Sequence, residues 1–203
     1  MGRRARGSSA SRTRKGKLLA RLKPEEDAGV LRSLLERHPE LVAEAEEIAS
    51  AAVTDVDAHA VAEDVEEAVL DLDLDALNSR AGRHSWGYVE PTEAAWELLA
   101  EAVDPFLDEM KRHVELGFEA AATATCAGIV FGLYRCRGKN SDQVLGWAED
   151  FPAETAGHAV ATLARESTAK HRRTWRLSAA IVDRVPEWAD MIGRVSERAS
   201  EKC

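Results

Sequence analysis

Apolar residues recur along this chain at three-and-four spacing, the mark of helices with one buried face. After Pro24 stand Val30, Leu31, Leu34 and Leu35, and after Pro39 stand Leu41, Ala45, Ile48, Ala49 and Ala52, which predicts two short antiparallel helices. A third helix starts near Asp57 and is expected to bury Val61, Val65, Ala68, Val69 and Leu72, with Glu63, Asp64, Glu66 and Glu67 on its outer side. Residues 74–80 read as one further turn ended by Gly82, and residues 84–89, with Trp86 and Tyr88, as a loop. The longest pattern runs through Ala95, Trp96, Leu99, Val103, Phe106, Leu107, Met110, Val114 and Phe118. Pro105 removes one ladder bond inside it and crowds the preceding turn, which predicts a kink or break near Asp104. Helix resumes through Tyr134, where Ala120, Ala124, Gly128 and Gly132 recur every four residues and leave a groove that a neighbouring helix can approach closely. Further helices are predicted over 141–148, 154–166 and 170–185, and from Pro186 to the end.

Prolines mark where these helices begin. Five of the six are followed within two residues by an acid: Pro24-Glu25, Pro39-Glu40, Pro91-Thr92-Glu93, Pro152-Ala153-Glu154 and Pro186-Glu187. Proline at the first helical position sacrifices no hydrogen bond, and an acid in the first turn meets the positive end of the helix dipole. With about eight helices and no convincing strand, the expected fold is all-α, an irregular multi-helix bundle or a short helical-repeat-like stack. No period repeats cleanly, so the bundle is preferred.

Charge divides the chain in two. The first 23 residues carry nine cations (Arg3, Arg4, Arg6, Arg12, Arg14, Lys15, Lys17, Arg21 and Lys23) and no acid, whereas the other 180 carry all 36 acids. Of 27 Lys and Arg, 27 − 9 = 18 remain there, so the tail is +9 and the body −18. Residues 1–23 are therefore expected to be a disordered basic tail and 24–203 an all-helical domain, with about 170–203 as a candidate C-terminal extension. Three cysteines without a CxxC spacing suggest neither a disulfide framework nor a zinc site, and a reducing, cytoplasmic setting is expected. No apolar run long enough for a secretory signal follows the basic start. The Arg- and Ser-rich composition also fits a transit peptide, although Gly2, Gly7 and Gly16 weaken an amphipathic helix there. The uncharged stretch 120–134 falls short of the ~20 residues a membrane helix needs, so no membrane partner is expected.

Among candidate chemistry, the tail is the clearest: nine clustered cations suit nonspecific binding of nucleic acid or of an acidic protein. A second basic group, Arg165, Lys170, His171, Arg172, Arg173 and Arg176, lies beside Trp175 and would either balance charge or extend a phosphate-binding surface. The thirteen acids from Glu40 to Asp75, with no intervening Lys or Arg, read as a solvated face that repels phosphate. Asp71, Asp73 and Asp75 suggest a calcium loop, but Ala76 and Gly82 stand where its glycine and closing acid belong, so a solvated helix end is the better reading. His59 with Glu63 and Glu109 with His113 stand four apart and read as surface pairs rather than metal ligands. Cys136, between Arg135 and Arg137, has a setting that favours its thiolate.

No catalytic motif appears, and neither a cofactor nor a metal is expected. The preferred function is a non-enzymatic interaction module whose tail adds affinity. The alternative is an enzyme or metal-binding protein with a site near the Trp86–Tyr88 loop and His113.

The run Leu72-Asp73-Leu74-Asp75-Ala76-Leu77-Asn78-Ser79-Arg80-Ala81-Gly82, then Gly87-Tyr88-Val89-Glu90-Pro91-Thr92-Glu93-Ala94-Ala95-Trp96 and Phe106-Leu107-Asp108-Glu109-Met110, resembles an uncharacterised group of all-helical prokaryotic proteins. The resemblance covers roughly residues 24–165. It implies a helical fold and carries over no functional residue.

Overall fold

The computed structural model describes residues 18–85, 87–139, 143–167 and 179–201. The chain forms two compact units, Met1–Ala52 and Val53–Cys203, a division that falls inside the stretch the sequence reads as one helical domain. Helix α1 (Pro24–Arg37) and a 3-10 turn (Pro39–Leu41) lie in the first, and α2 (Val42–Thr54) runs to its end. The second holds α3 (Ala58–Leu70), α4 (Leu74–Arg80), α5 (Pro91–Glu115), α6 (Glu119–Cys136), a 3-10 turn (Val144–Trp147), α7 (Phe151–Glu166), the single turn α8 (Ala179–Val182) and α9 (Ala189–Glu201). The protein is all-α, a helical bundle, as the apolar spacing predicts.

Most helix starts sit where the prolines put them. Pro24 and Pro91 open α1 and α5, Pro39 opens its 3-10 turn, and Pro152 lies in the first turn of α7. Asp57 and Asp73 cap α3 and α4 by accepting from the amides of His59 at 2.8 Å and Ala76 at 2.7 Å. These caps satisfy amides that have no intrahelical partner.

Four local expectations are corrected. The loop expected over 84–89 instead contributes to a small antiparallel ribbon, β1 (Gly82–His84) against β2 (Gly87–Val89), with Arg83 opposite Tyr88. Pro105 does not break its helix: α5 runs unbroken from Pro91 to Glu115. Pro105 is exposed, so its ring stands away from the core. The break falls twelve residues later. Gly117 adopts φ +79°, its amide bonds the Val114 carbonyl at 2.9 Å, and the Phe118 amide bonds that of His113 at 2.8 Å. This double closure ends α5 and turns the chain into α6. Of the helix predicted over 141–148, the described part is the 3-10 turn at 144–147, and the helix predicted from Pro186 starts at Ala189.

Helix α6 is the centre of the second unit. Twelve of its eighteen residues are buried, all round the helix, as expected of an element covered by neighbours on every side. α3, α5 and α7 pack against it, and α9 packs on α7. The tightest meeting is with α3. A Cβ at Gly128 would lie 2.5 Å from Val61 Cβ and 2.9 Å from the Ala58 carbonyl oxygen, and one at Gly132 would lie 2.7 Å from both Val65 Cβ and the Ala62 oxygen. The predicted groove is thus filled at its glycine end, whereas Ala120 at its other end is exposed. Ile181, Val185, Trp188 and Ile192 all belong to this core, so the last helix is part of the bundle.

Ion pairs hold the outer parts. Glu66 on α3 takes Lys139 at 2.6 Å and Arg135 at 3.5 Å, and Arg80 on α4 takes Glu101 of α5 through both guanidinium nitrogens at 2.9 Å. Arg137 bonds Glu187 at 2.6 Å and lies 4.0 Å above the Tyr134 ring, which itself meets Trp188 edge-on at 5.0 Å. Glu66, which the sequence places on the solvated face, is therefore half-buried and paired.

Two outcomes follow from this packing. Gly128→Leu should lower stability by ~1–3 kcal/mol or more, because its first carbon already collides with a backbone carbonyl, and Gly132→Ala should be destabilising as well. Thermal unfolding checks both, and an unchanged melting temperature would contradict the contact. The hydrogen bond from Lys139, above all, holds the Glu66 carboxyl below its ordinary value of 4.5, against an opposing push from burial and with help from the charges of Lys139 and Arg135. A carboxyl lowered on folding stabilises fully above its unfolded value, and that stabilisation is lost as pH falls through the lowered one. Between about pH 6 and about pH 3, Glu66→Gln should therefore lose less melting temperature than the unsubstituted protein.

Candidate functional site

The N-terminal segment joins charge to exposed apolar surface. Its last two cations, Arg21 and Lys23, are exposed and immediately precede α1. Arg3, Arg4, Arg6, Arg12, Arg14, Lys15 and Lys17 lie outside the described residues. Lys23 is the cap residue of α1: its amide donates to the Glu26 carboxylate at 2.9 Å, while Glu25, Glu26 and Asp27 fill the first turn. These contacts use the acids of the first turn to start the helix, so α1 is well set at its N-terminus.

Its apolar face is a different matter. No residue of α1 or α2 is buried. Much of the stripe predicted to be covered stands open, with Leu31 at 52% and Ile48 at 64% exposure and Val30 and Leu34 exposed as well, while Leu35, Leu41 and Ala45 are half-buried; Val42, outside that stripe, is also exposed. Leu18 and Leu19, just ahead, are also exposed. Periodicity marks the apolar positions of these helices but does not determine how far each is covered. Helices of this length owe most of their stability to packing, and contiguous exposed apolar surface is the usual sign of an interaction site.

The other candidates are dispersed. Arg165 is exposed and donates to Thr162 Oγ1 at 3.2 Å. Lys170, His171, Arg172, Arg173, Trp175 and Arg176 lie outside the described residues, as does Trp86. The alternative cleft does not form, because Tyr88 stands just before α5 while His113 is in its last turn, about 33 Å away at 1.5 Å per residue. Tyr88 is 61% exposed, whereas His113 is buried.

His113 pairs with Glu109 as its spacing predicts, but its ring is buried rather than on the surface. Its Nε2 lies 3.2 Å from Glu109 Oε1 and its Nδ1 lies 3.2 Å from Thr125 Oγ1, so the ring ties α5 to α6. His59 does not pair with Glu63; its Nε2 accepts from Arg184 at 2.7 Å and its ring stacks on Phe131. Asp73, the middle acid of the suspected calcium loop, is used as the α4 cap. Among the described residues no group of three or more His, Cys, Asp or Glu is placed to hold a metal ion. No described helix is long and apolar enough to cross a membrane.

The reactive-thiol expectation is overturned. Cys136 is fully buried, and burial first, with the nearby charge of Glu66, pushes its thiol up to about 12 against the opposing pull of Lys139. The flanking arginines point elsewhere, Arg135 to Glu66 and Arg137 to Glu187. Cys126 is likewise raised to about 12 by burial.

No protein-family model, curated protein or solved structure matches the chain.

A thiol held so far above neutral pH presents almost no nucleophile. In a Cys203→Ser variant near neutral pH, Cys126 and Cys136 should stay unreactive toward a disulfide reagent while the protein is folded. Both should react in denaturant. Rapid labelling of the native protein would contradict the buried placement.

Proposed function

We propose that the protein is a non-enzymatic intracellular interaction module, acting in the cytoplasm, whose N-terminal segment is the binding arm. The observation that carries this reading is the uncovered apolar stripe of α1 and α2, continuous in sequence with a +9 segment. The two parts have different tasks. The cations supply long-range attraction to a polyanion, by preference nucleic acid and otherwise an acidic protein surface, through release of condensed counterions. The apolar stripe supplies the short-range contact with a protein partner, since burying it removes hydrocarbon from water.

The −18 body supports the same division of labour. Exposed acids on α3, among them Glu63, Asp64 and Glu67, repel phosphate and leave the tail as the face a nucleic acid approaches. The group Arg165, Lys170, Arg172, Arg173 and Arg176 is the second place such a ligand would contact.

Deleting residues 1–22 tests the proposal, because it removes eight of the nine tail cations and leaves α1 to α9 intact. The full chain should bind duplex or single-stranded nucleic acid at roughly micromolar to 100 micromolar concentration near physiological salt, with affinity falling as salt rises and little sequence preference. The truncated chain should lose this binding while keeping its helicity. Retained affinity would move the site to the Arg165–Arg176 group. Absence of binding in both forms at low salt would leave protein partners or a targeting role as the uses of the tail.

A further inference from the structure

Between α5 and α7 lies a hollow of about 300 Å³, at the small end of ligand pockets. Trp96, Val103 and Leu107 line it from one helix, and Phe151 lines it from the other. The hollow exists because Ala100 carries only a methyl group one turn beyond the large Trp96. The indole is held in place, half-buried, by the Phe151 ring, which it meets edge-on at 5.0 Å and 71°. A flat apolar body entering the hollow would therefore meet a preformed aromatic wall.

The rim is acidic. Asp104 and Glu154 line it, both exposed, with the exposed imidazole of His158 beside them, and no Lys or Arg lines the hollow. Neither carboxylate takes part in an ion pair among the described residues. Lys111 feels the charge of Asp104, but its ammonium is held first by Asp108 at 2.9 Å. An anion entering here is repelled, and a neutral molecule leaves both carboxylates without a counter-charge. A cation gains on both counts, from the carboxylates and from the aromatic face.

We infer that this hollow binds a small organic cation of the arylalkylamine class, its ring against Trp96 and Phe151 and its ammonium at Asp104 and Glu154. The site lies in the second unit and does not depend on the N-terminal arm.

Phenethylamine is the test ligand and 2-phenylethanol its neutral control, each titrated into the full chain while the Trp96 indole N–H is followed by NMR. A Trp96→Phe variant identifies that signal. Phenethylamine should saturate with a dissociation constant on the order of 1 mM, as expected for so few atoms, and the alcohol should bind at least about tenfold more weakly. The pair Asp104→Asn and Glu154→Gln should cost the amine about tenfold and leave the alcohol unchanged. Ala100→Phe, which fills the hollow, should abolish both. Equal affinity for amine and alcohol, indifference to the carboxylate substitutions, or no saturation would overturn the proposal. Should Ala100→Phe lower the melting temperature, the carboxylate pair decides alone, since both positions are exposed.

Discussion

Everything in the second unit depends on two helices meeting at their backbones. At Gly128 and Gly132, α6 presents no side chain, and the carbonyls of Ala58 and Ala62 with the side chains of Val61 and Val65 occupy the space. The approach sets the distance between α3 and α6, and thereby the position of every residue that packs on either. Larger residues would keep the helices apart and leave voids among Ile129, Leu133, Val65 and Val69, where close packing is needed. α6 can accept this role because its small, apolar sequence lets it be buried on all sides.

Around that contact, polar links are placed where chain segments join the bundle. Glu66 holds the end of α6 through Arg135 and Lys139, Arg80 joins α4 to α5, and Arg137 with Tyr134 holds the segment carrying Trp188 and Glu187. Most of these ions are partly exposed, so each adds little stability by itself. They join segments that lie far apart in the chain. His113 adds a link from inside, bonding Glu109 on its own helix and Thr125 on the next.

The N-terminal helices follow the opposite rule. α1 is capped and charged to start well, yet neither α1 nor α2 buries a residue. The second unit, by contrast, buries apolar residues of α3, α5, α6 and α7 in one core. The basic run stands ahead of α1, and every acid of the chain follows it.

Helix existence and most helix starts were legible in the sequence, because proline geometry, dipole-favoured acids and apolar period are local properties of a few consecutive residues. Pro24, Pro91, Asp57 and the Gly128–Gly132 spacing all carry that information. The stop at Gly117 is not marked by that pattern, and the helix runs through the exposed Pro105 instead of ending there. What the sequence could not determine is which faces become covered. The stripes of α1 and α3 look alike as patterns, yet Val65 is buried and Leu31 is open. The same holds for chemistry: the cationic neighbours of Cys136 argued for a thiolate, whereas folding turned both arginines toward carboxylates and buried the sulfur. Burial and pairing arise from residues far apart in the chain, at separations such as Glu66 to Lys139. Only the tertiary structure brings them together.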